Sequence, residues 1–228
     1  MSPKEYTPPE LEENAADDVV AAEPAATYGA AAFQPDAGRQ YTYADYLGWI
    51  DDVRRELING FVCVMSAPWR KHARISSELF GVMHAYIKRH GGACEAYHAP
   101  FDVRLPVNGE TADSKVRNVV QPDICVVCDL SKLDEKGCLG APDLVVEITS
   151  PSSQKKDWVK KYNLYEQAGV KEYWIVEPDA GTITVFILQG SGKYDDGMTY
   201  SVKEVPYHMV PVHTLSGLTI DVRELFGS

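Results

Sequence analysis

The stretch APDLVVEITS, residues 141–150, sets a carboxylate in the middle of an apolar run. Leu144, Val145, Val146 and Ile148 read as a buried strand, with Glu147 among them. A charge in that setting is costly unless something pairs with it or binds it. Side chains alternate along a strand, so Asp143, Val145, Glu147 and Thr149 share one face. At ~3.3 Å per residue, Asp143 and Glu147 stand roughly 13 Å apart, too far to hold one ion together. Asp143, directly after a proline, reads as a turn or strand-end residue. QPDICVV offers a closer partner, because Asp123 leads a second apolar run and adjacent strands lie only ~4.8 Å apart. Two carboxylates facing each other on neighbouring strands can chelate one hard cation. Mg2+ is commonly held by one or two carboxylates, with waters and substrate phosphate oxygens completing its shell. The alternative is that Asp123 ends its strand and Glu147 pairs with a buried lysine.

The segment after Glu147 carries Asp157, Lys161 and Tyr165 at i, i+4 and i+8, one face of a helix. The connection SPSS is short, so the first turns of that helix stay near the C-terminal end of the strand. Lys161 can then swing toward Glu147. A lysine beside a carboxylate pair and a metal ion orients a water or offsets developing phosphate charge. The alternative is an ordinary surface pair between Lys161 and Asp157. Lys155, Lys156 and Lys160, with Arg70, Lys71 and Arg74, form basic clusters that either contact phosphate or face solvent.

These residues need a scaffold, and the flanking patterns supply one. YTYADYLGWIDD, from Tyr41, reads as a short helix with Thr42 as its N-cap. RELINGFVCVMS reads as a hairpin turning at Asn59-Gly60. WRKHARISSELFGVMHAYIKRHGG has helical spacing at Ile75, Leu79, Val82, Met83, Tyr86 and Ile87, and Gly91-Gly92 stop it. ACEAYHAPFDVRLP and VVQPDICVVCDL read as one strand each, followed by APDLVVEITS. A helix with a serine N-cap runs to Gly169, then a strand EYWIVEP, then the β-rich segments TITVFIL, TYSVKEVPY and GLTIDVRELF. The expected fold is mixed α/β on one central sheet flanked by helices, with extra C-terminal strands. Cys125 and Cys128 form a C-x-x-C within a strand, on opposite faces, which argues against a zinc or redox site.

The chain has 228 residues and a net charge of −11. Residues 1–36 hold eight acids against one base, so they carry −7 of that total and leave −4 for the rest. Residues 1–38, rich in Ala, Glu and Pro, read as a disordered acidic tail, and 39–228 as one domain. A mildly acidic body does not favour tight non-specific DNA binding, which rests on many Lys and Arg contacts to phosphate. It leaves room for a local basic site. No apolar run approaches the ~20 residues that span a bilayer, and the N-terminus does not read as a secretory signal. With five cysteines, mostly reduced thiols in a cytoplasmic protein is the simpler expectation.

QPDICVV, APDLVVEITSPSS, the Asp157–Lys161–Tyr165 face and GVKEYWIVEP together resemble the Uma-two family of restriction-endonuclease-like proteins, within the PD-(D/E)XK nuclease superfamily. The resemblance runs from about Tyr41 to Phe226 and is densest between Pro122 and Pro178. It implies a restriction-endonuclease-like fold and a metal-dependent endonuclease acting on DNA, with RNA as the other substrate class. It implies Asp123 and Glu147 as metal-binding acids, joined by a backbone carbonyl near Ile148, with Mg2+ as the ion and Mn2+ as a substitute. The superfamily motif places a lysine two residues after the second acid, where this chain has Thr149. Lys161, on the following helix, matches the family's relocated base. Glu56 matches a further acid of the site and His72 a histidine at the start of the long helix. A homodimer is likewise implied. Thr149 and the acidic surface favour the alternative, a catalytically inactive nuclease fold that binds nucleic acid or a partner.

Overall fold

The computed structural model describes residues 33–227 except 108, 150–153 and 205–206, and only the backbone of 154–158. Residues 1–32 of the acidic tail, the serine N-cap and the side chains of Lys155, Lys156 and Asp157 therefore lie outside the described residues. In chain order the elements are α1 (Tyr43–Tyr46), β1 (Arg55–Ile58), β2 (Phe61–Val64), α2 (Arg70–His90), β3 (Glu95–His98), β4 (Val103–Arg104), β5 (Val119–Val120) and β6 (Ile124–Val127). A 3-10 turn (Leu130–Lys132), β7 (Leu133–Asp134), β8 (Gly137–Leu139), β9 (Leu144–Ile148) and α3 (Gln154–Ala168) follow. The chain then forms β10 (Glu172–Glu177), β11 (Thr182–Ile187), β12 (Met198–Ser201), β13 (Met209–Pro211), β14 (Thr219–Asp221) and α4 (Val222–Phe226).

The mixed α/β reading holds, but the strands divide between two six-stranded sheets instead of building one. The first sheet runs β2-β1-β5-β4-β8-β7 and the second β12-β11-β10-β9-β6-β3. Two segments that read as single strands are split between the sheets. ACEAYHAPFDVRLP gives β3 to the second sheet and β4 to the first, and VVQPDICVVCDL gives β5 to the first and β6 to the second. Each transfer carries a proline, Pro100 and Pro122. Proline has no N–H for a ladder, so the pairing ends there and the chain turns into the neighbouring sheet.

The second sheet is buried on both faces, which explains its nearly continuous apolar strands. One face, with Ile124, Val126, Leu144, Val146, Trp174 and Val176, packs against Ile75, Leu79, Met83 and Ile87 of α2. Those four residues recur every four positions along one stripe of the helix. Each contributes on the order of 1.5–3 kcal/mol when fully buried. The other face, with Cys125, Val127, Val145, Tyr173 and Ile175, packs against Leu164 and Tyr165 of α3 and against Ile58, Val103 and Val120 of the first sheet. α3 is the crossover between β9 and β10, which are parallel, as a βαβ unit requires.

The C-terminal strands serve different ends. β11 and β12 extend the second sheet, while β13 and β14 pair only with each other. The Asn59-Gly60 turn forms as the sequence indicates, with φ of 53° and 82°. Both positive angles suit the two central positions of a tight hairpin turn. Phe33 stacks on Trp49, with ring centroids 4.3 Å apart. Cys94 and Cys128 are joined in a disulfide, and Cys63, Cys125 and Cys138 are in none. The expectation of mostly reduced thiols therefore holds for three of the five. Cys125 points to the opposite face of β6 and stays buried. Among the described residues no helix is long and apolar enough to cross a membrane.

Candidate active site

β6 and β9 are antiparallel, with Ile124 opposite Val146 and Cys125 opposite Val145. One step further along this register, Asp123 stands opposite Glu147. The ladder's next link is made by a side chain: the Ile148 N–H donates to Asp123 Oδ2 at 2.7 Å. The other oxygen, Oδ1, meets His72 Nε2 at 2.9 Å. His72 sits in the first turn of α2, so the long helix and both strands fix this one carboxylate.

Glu147 lies on the face of β9 that meets α3 and the first sheet, the face of Val145. Lys161 reaches it from α3, with Nζ 3.0 Å from Glu147 Oε1. The same ammonium lies 2.9 Å from Glu56 Oε1. Glu56 belongs to β1, whose alternation turns it with Ile58 toward the second sheet. Tyr165, one turn beyond Lys161, donates its hydroxyl to Glu147 Oε1 at 2.6 Å. The Gln121 N–H donates to Glu56 Oε1 at 2.8 Å. A single lysine thus ties together acids from both sheets, at the point where the chain passes from β5 through Gln121 and Pro122 to Asp123. Lys161 and Glu56 are 4% exposed, so this is an interior cluster and not a solvated pair.

Burial and charge pull these groups in different directions. Desolvation raises the Glu147 carboxyl above its ordinary range to about 8; Lys161 opposes the rise, and Glu56 and Asp123 add to it. Burial alone would lower the Lys161 ammonium, but Glu147 and then Glu56 outweigh it and hold the group charged, well above its ordinary value. Burial, then the charge of Glu147, raises the Tyr165 hydroxyl in the same way, so it stays protonated and donates. Three acids share one ammonium, so ionising Glu147 leaves the cluster with surplus negative charge.

That surplus is what a hard cation needs. The donors are carboxylate oxygens, the ligand class of Mg2+ and Mn2+. Both Lys161 and Tyr165 take Oε1 of Glu147, and neither takes Oε2. Among the described residues no three His, Cys, Asp or Glu side chains gather closely enough to hold an ion by themselves. Two carboxylates completed by water and phosphate are the usual protein share of a Mg2+ site, so Asp123 and Glu147 fit the ion.

The structure thus brings Asp123, Glu147, Lys161, Glu56, His72 and Tyr165 into one cluster, while Thr149, Asp143, Lys71 and Arg74 have other partners. Thr149 donates its hydroxyl to the Val176 carbonyl at 3.2 Å, so it belongs to the β9–β10 join and takes no part in the cluster. Asp143 accepts from the Cys128 N–H at 2.7 Å and from Lys171 Nζ at 2.7 Å, a strand-end role. Lys71 pairs with Asp179 and Arg74 with Glu78 on the surface. Sequence reasoning missed Gln121. Its side-chain oxygen accepts from Arg54, and its amide donates to Tyr46 and Asp102, which locks the backbone N–H that holds Glu56. Its place directly before the Pro-Asp pair was the available signal.

The fold is a mixed α/β one that solved structures share. A crystal structure of a putative nuclease belonging to DUF820 from Anabaena variabilis ATCC 29413 superposes with a TM-score of 0.64 at 21% identity, covering 82% of this chain and 97% of that one. At that identity the likeness is one of fold. Among sequences, the uncharacterized protein slr1290 of Synechocystis sp. (strain ATCC 27184 / PCC 6803 / Kazusa) is 27% identical over 156 residues, which is 67% of this chain and 74% of that protein. Residues 43–223 match the model of the family described as "Uma2: Putative restriction endonuclease", and the chain belongs to that family.

Proposed function

We propose that the protein is a Mg2+-dependent endonuclease that hydrolyses phosphodiester bonds of DNA. The observation that carries this reading is the buried Lys161 ammonium. It reaches Glu147 and Glu56 from the helix after β9, beside Asp123, which supports it as the base of a motif that has Thr149 at the usual lysine position. Asp123 and Glu147, with the Ile148 carbonyl, would hold the ion. When bound, the ion supplies Lewis acidity toward a phosphoryl oxygen and lowers the pKa of a water. His72 and the Ile148 N–H fix the Asp123 carboxylate, and Tyr165 fixes Glu147. Lys161 orients the attacking water or offsets negative charge on the phosphoryl group, and Glu56 holds the lysine in that position. Mn2+ substitutes, as it shares the oxygen-ligand preference.

The test is cleavage of plasmid and oligonucleotide DNA, and of RNA, with Mg2+ and with Mn2+. Wild type is compared with Asp123→Ala, Glu147→Ala and Lys161→Ala. Cleavage that needs metal and disappears in all three variants supports the reading. No cleavage by wild type under either metal, or equal cleavage by the variants, overturns it.

The same ion pair favours a second reading, in which Glu147, Lys161 and Glu56 are purely structural and the protein is an inactive nuclease fold. Calorimetric titration with Mn2+ separates the two. Asp123-dependent binding supports the enzyme, and its absence supports the structural cluster. A homodimer in the cytoplasm, cutting both strands, completes the proposed picture, and sedimentation measures the first part of it.

A further inference from the structure

Trp69 is 76% exposed. Indole is the largest side chain, and leaving it in water forgoes a burial that proteins usually make. Its position is specific: Trp69 is the N-cap of α2, in extended backbone with φ −75° and ψ 158°. Three residues on, His72 meets Asp123 at 2.9 Å. Trp69 therefore opens the helix whose first turn carries His72 to Asp123. Arg70 and Lys71, the next two residues, are also exposed.

The charge balance says what a contact there must supply. Outside residues 1–36 the chain carries a net −4. Release of counterions from DNA, the usual source of affinity, depends on many basic contacts to phosphate. Of the basic residues beside His72, Lys71 pairs with Asp179 and Arg74 with Glu78. With a mildly acidic body, an uncharged contact adds affinity that counterion release does not supply. Stacking on an aromatic ring is such a contact, and it ignores base identity because every base presents a π face.

We propose that Trp69 is a substrate-binding residue that stacks on a nucleobase beside the scissile phosphate. This rests on the nuclease reading above. It also names the substrate class. A base inside an intact duplex has both faces covered by its neighbours, so the indole takes a base that is unpaired, at a strand end, a flap or a gap. The preferred substrate is therefore DNA with single-stranded character at the cut.

The test is the affinity of the full-length protein for fluorescein-labelled single-stranded DNA, duplex DNA and a flap, by anisotropy without divalent metal, together with KM and kcat in Mg2+. Trp69→Ala is expected to weaken binding of the single strand and the flap by between about five- and a hundredfold. KM is expected to rise in parallel while kcat holds, and intact duplex is expected to respond least. Trp69→Phe should retain most of the affinity and Trp69→Leu should not, which separates stacking from simple bulk. The salt dependence of wild-type binding should be shallow. A 5-iodouracil placed at the cut site should photocrosslink to Trp69. If wild type binds and cuts DNA but Trp69→Ala leaves KM and affinity unchanged, or duplex is affected as much as single strand, the inference fails and the nuclease reading stands. If wild type neither binds nor cuts nucleic acid, both fail.

Discussion

Two acids, Asp143 just before β9 and Glu147 within it, each pair with a lysine at close range: Lys171 at 2.7 Å and Lys161 at 3.0 Å. The two pairs nevertheless behave differently. Burial pushes the Asp143 carboxyl up, but Lys171 and the Cys128 N–H outweigh it and hold the group below its ordinary range. Its lysine is 71% exposed, so water shares the work of solvating the pair. Glu147 has a buried lysine that it shares with Glu56, and its carboxyl is raised. The distances match; the surroundings differ. An acid with its own cation and a backbone donor is settled, whereas one that shares its cation inside the protein has capacity for another.

The largest expected difference between the two is in catalysis. Ala at Asp123, Glu147 or Lys161 should cut the rate of DNA cleavage by about 10²–10³-fold. Asp143→Asn should leave kcat unchanged and lower only Tm. A nuclease assay and a melt on each variant check this, and a large loss of kcat in Asp143→Asn would erase the distinction.

Stability should divide the two lysines next. Lys161→Met leaves two acids without their cation inside the protein and should destabilise the metal-free fold by about 3–5 kcal/mol. Lys171→Met removes an exposed partner and should cost no more than about 1 kcal/mol. Urea unfolding, with the slope held constant, measures both.

The pH dependences should have opposite signs. Glu147 keeps its proton in the folded chain up to about 8, whereas the unfolded chain releases it in the ordinary glutamate range. Its contribution to stability is full below that range and is lost as pH rises through about 8. Asp143, with its carboxyl held low, contributes above the ordinary aspartate range and loses its contribution as pH falls. Mn2+ requires the ionised Glu147, so the rise in Tm on adding it should be larger at about pH 8.5 than at about pH 6. Glu147→Gln should flatten that trend. The smallest effect expected is at the hairpin: Gly60→Ala places a Cβ 3.0 Å from Gln40 Cβ in a backbone with φ of 82°. It should cost about 1 kcal/mol or somewhat more, read as a shift in Tm.

Much of the cluster was legible before the fold was known. Asp123 and Glu147 stood out because charges interrupt apolar runs, and strand spacing excluded Asp143. Helical periodicity placed Lys161 and Tyr165 on one face. The division into two sheets was not legible, since ACEAYHAPFDVRLP and VVQPDICVVCDL read as continuous strands. Local pattern reports how a segment is buried and not which neighbour it pairs with. Gln121 went unrecognised for a related reason: its contacts, Arg54, Tyr46 and Asp102, come from residues 19 to 75 positions away.

The sequence by itself determined the family, the α/β class, the Asn59-Gly60 turn and the buried stripe of α2, and it singled out the acids and the lysine that the fold gathers. These depend on residue type and on periods of two and of about 3.6 residues, which the chain carries locally. Only the tertiary structure decided that Glu56 and Glu147 share one lysine, that His72 meets Asp123, and that Thr149 turns away to the Val176 carbonyl. Each joins residues far apart in the chain, and such contacts are fixed by packing two sheets and three connecting segments around one buried charge.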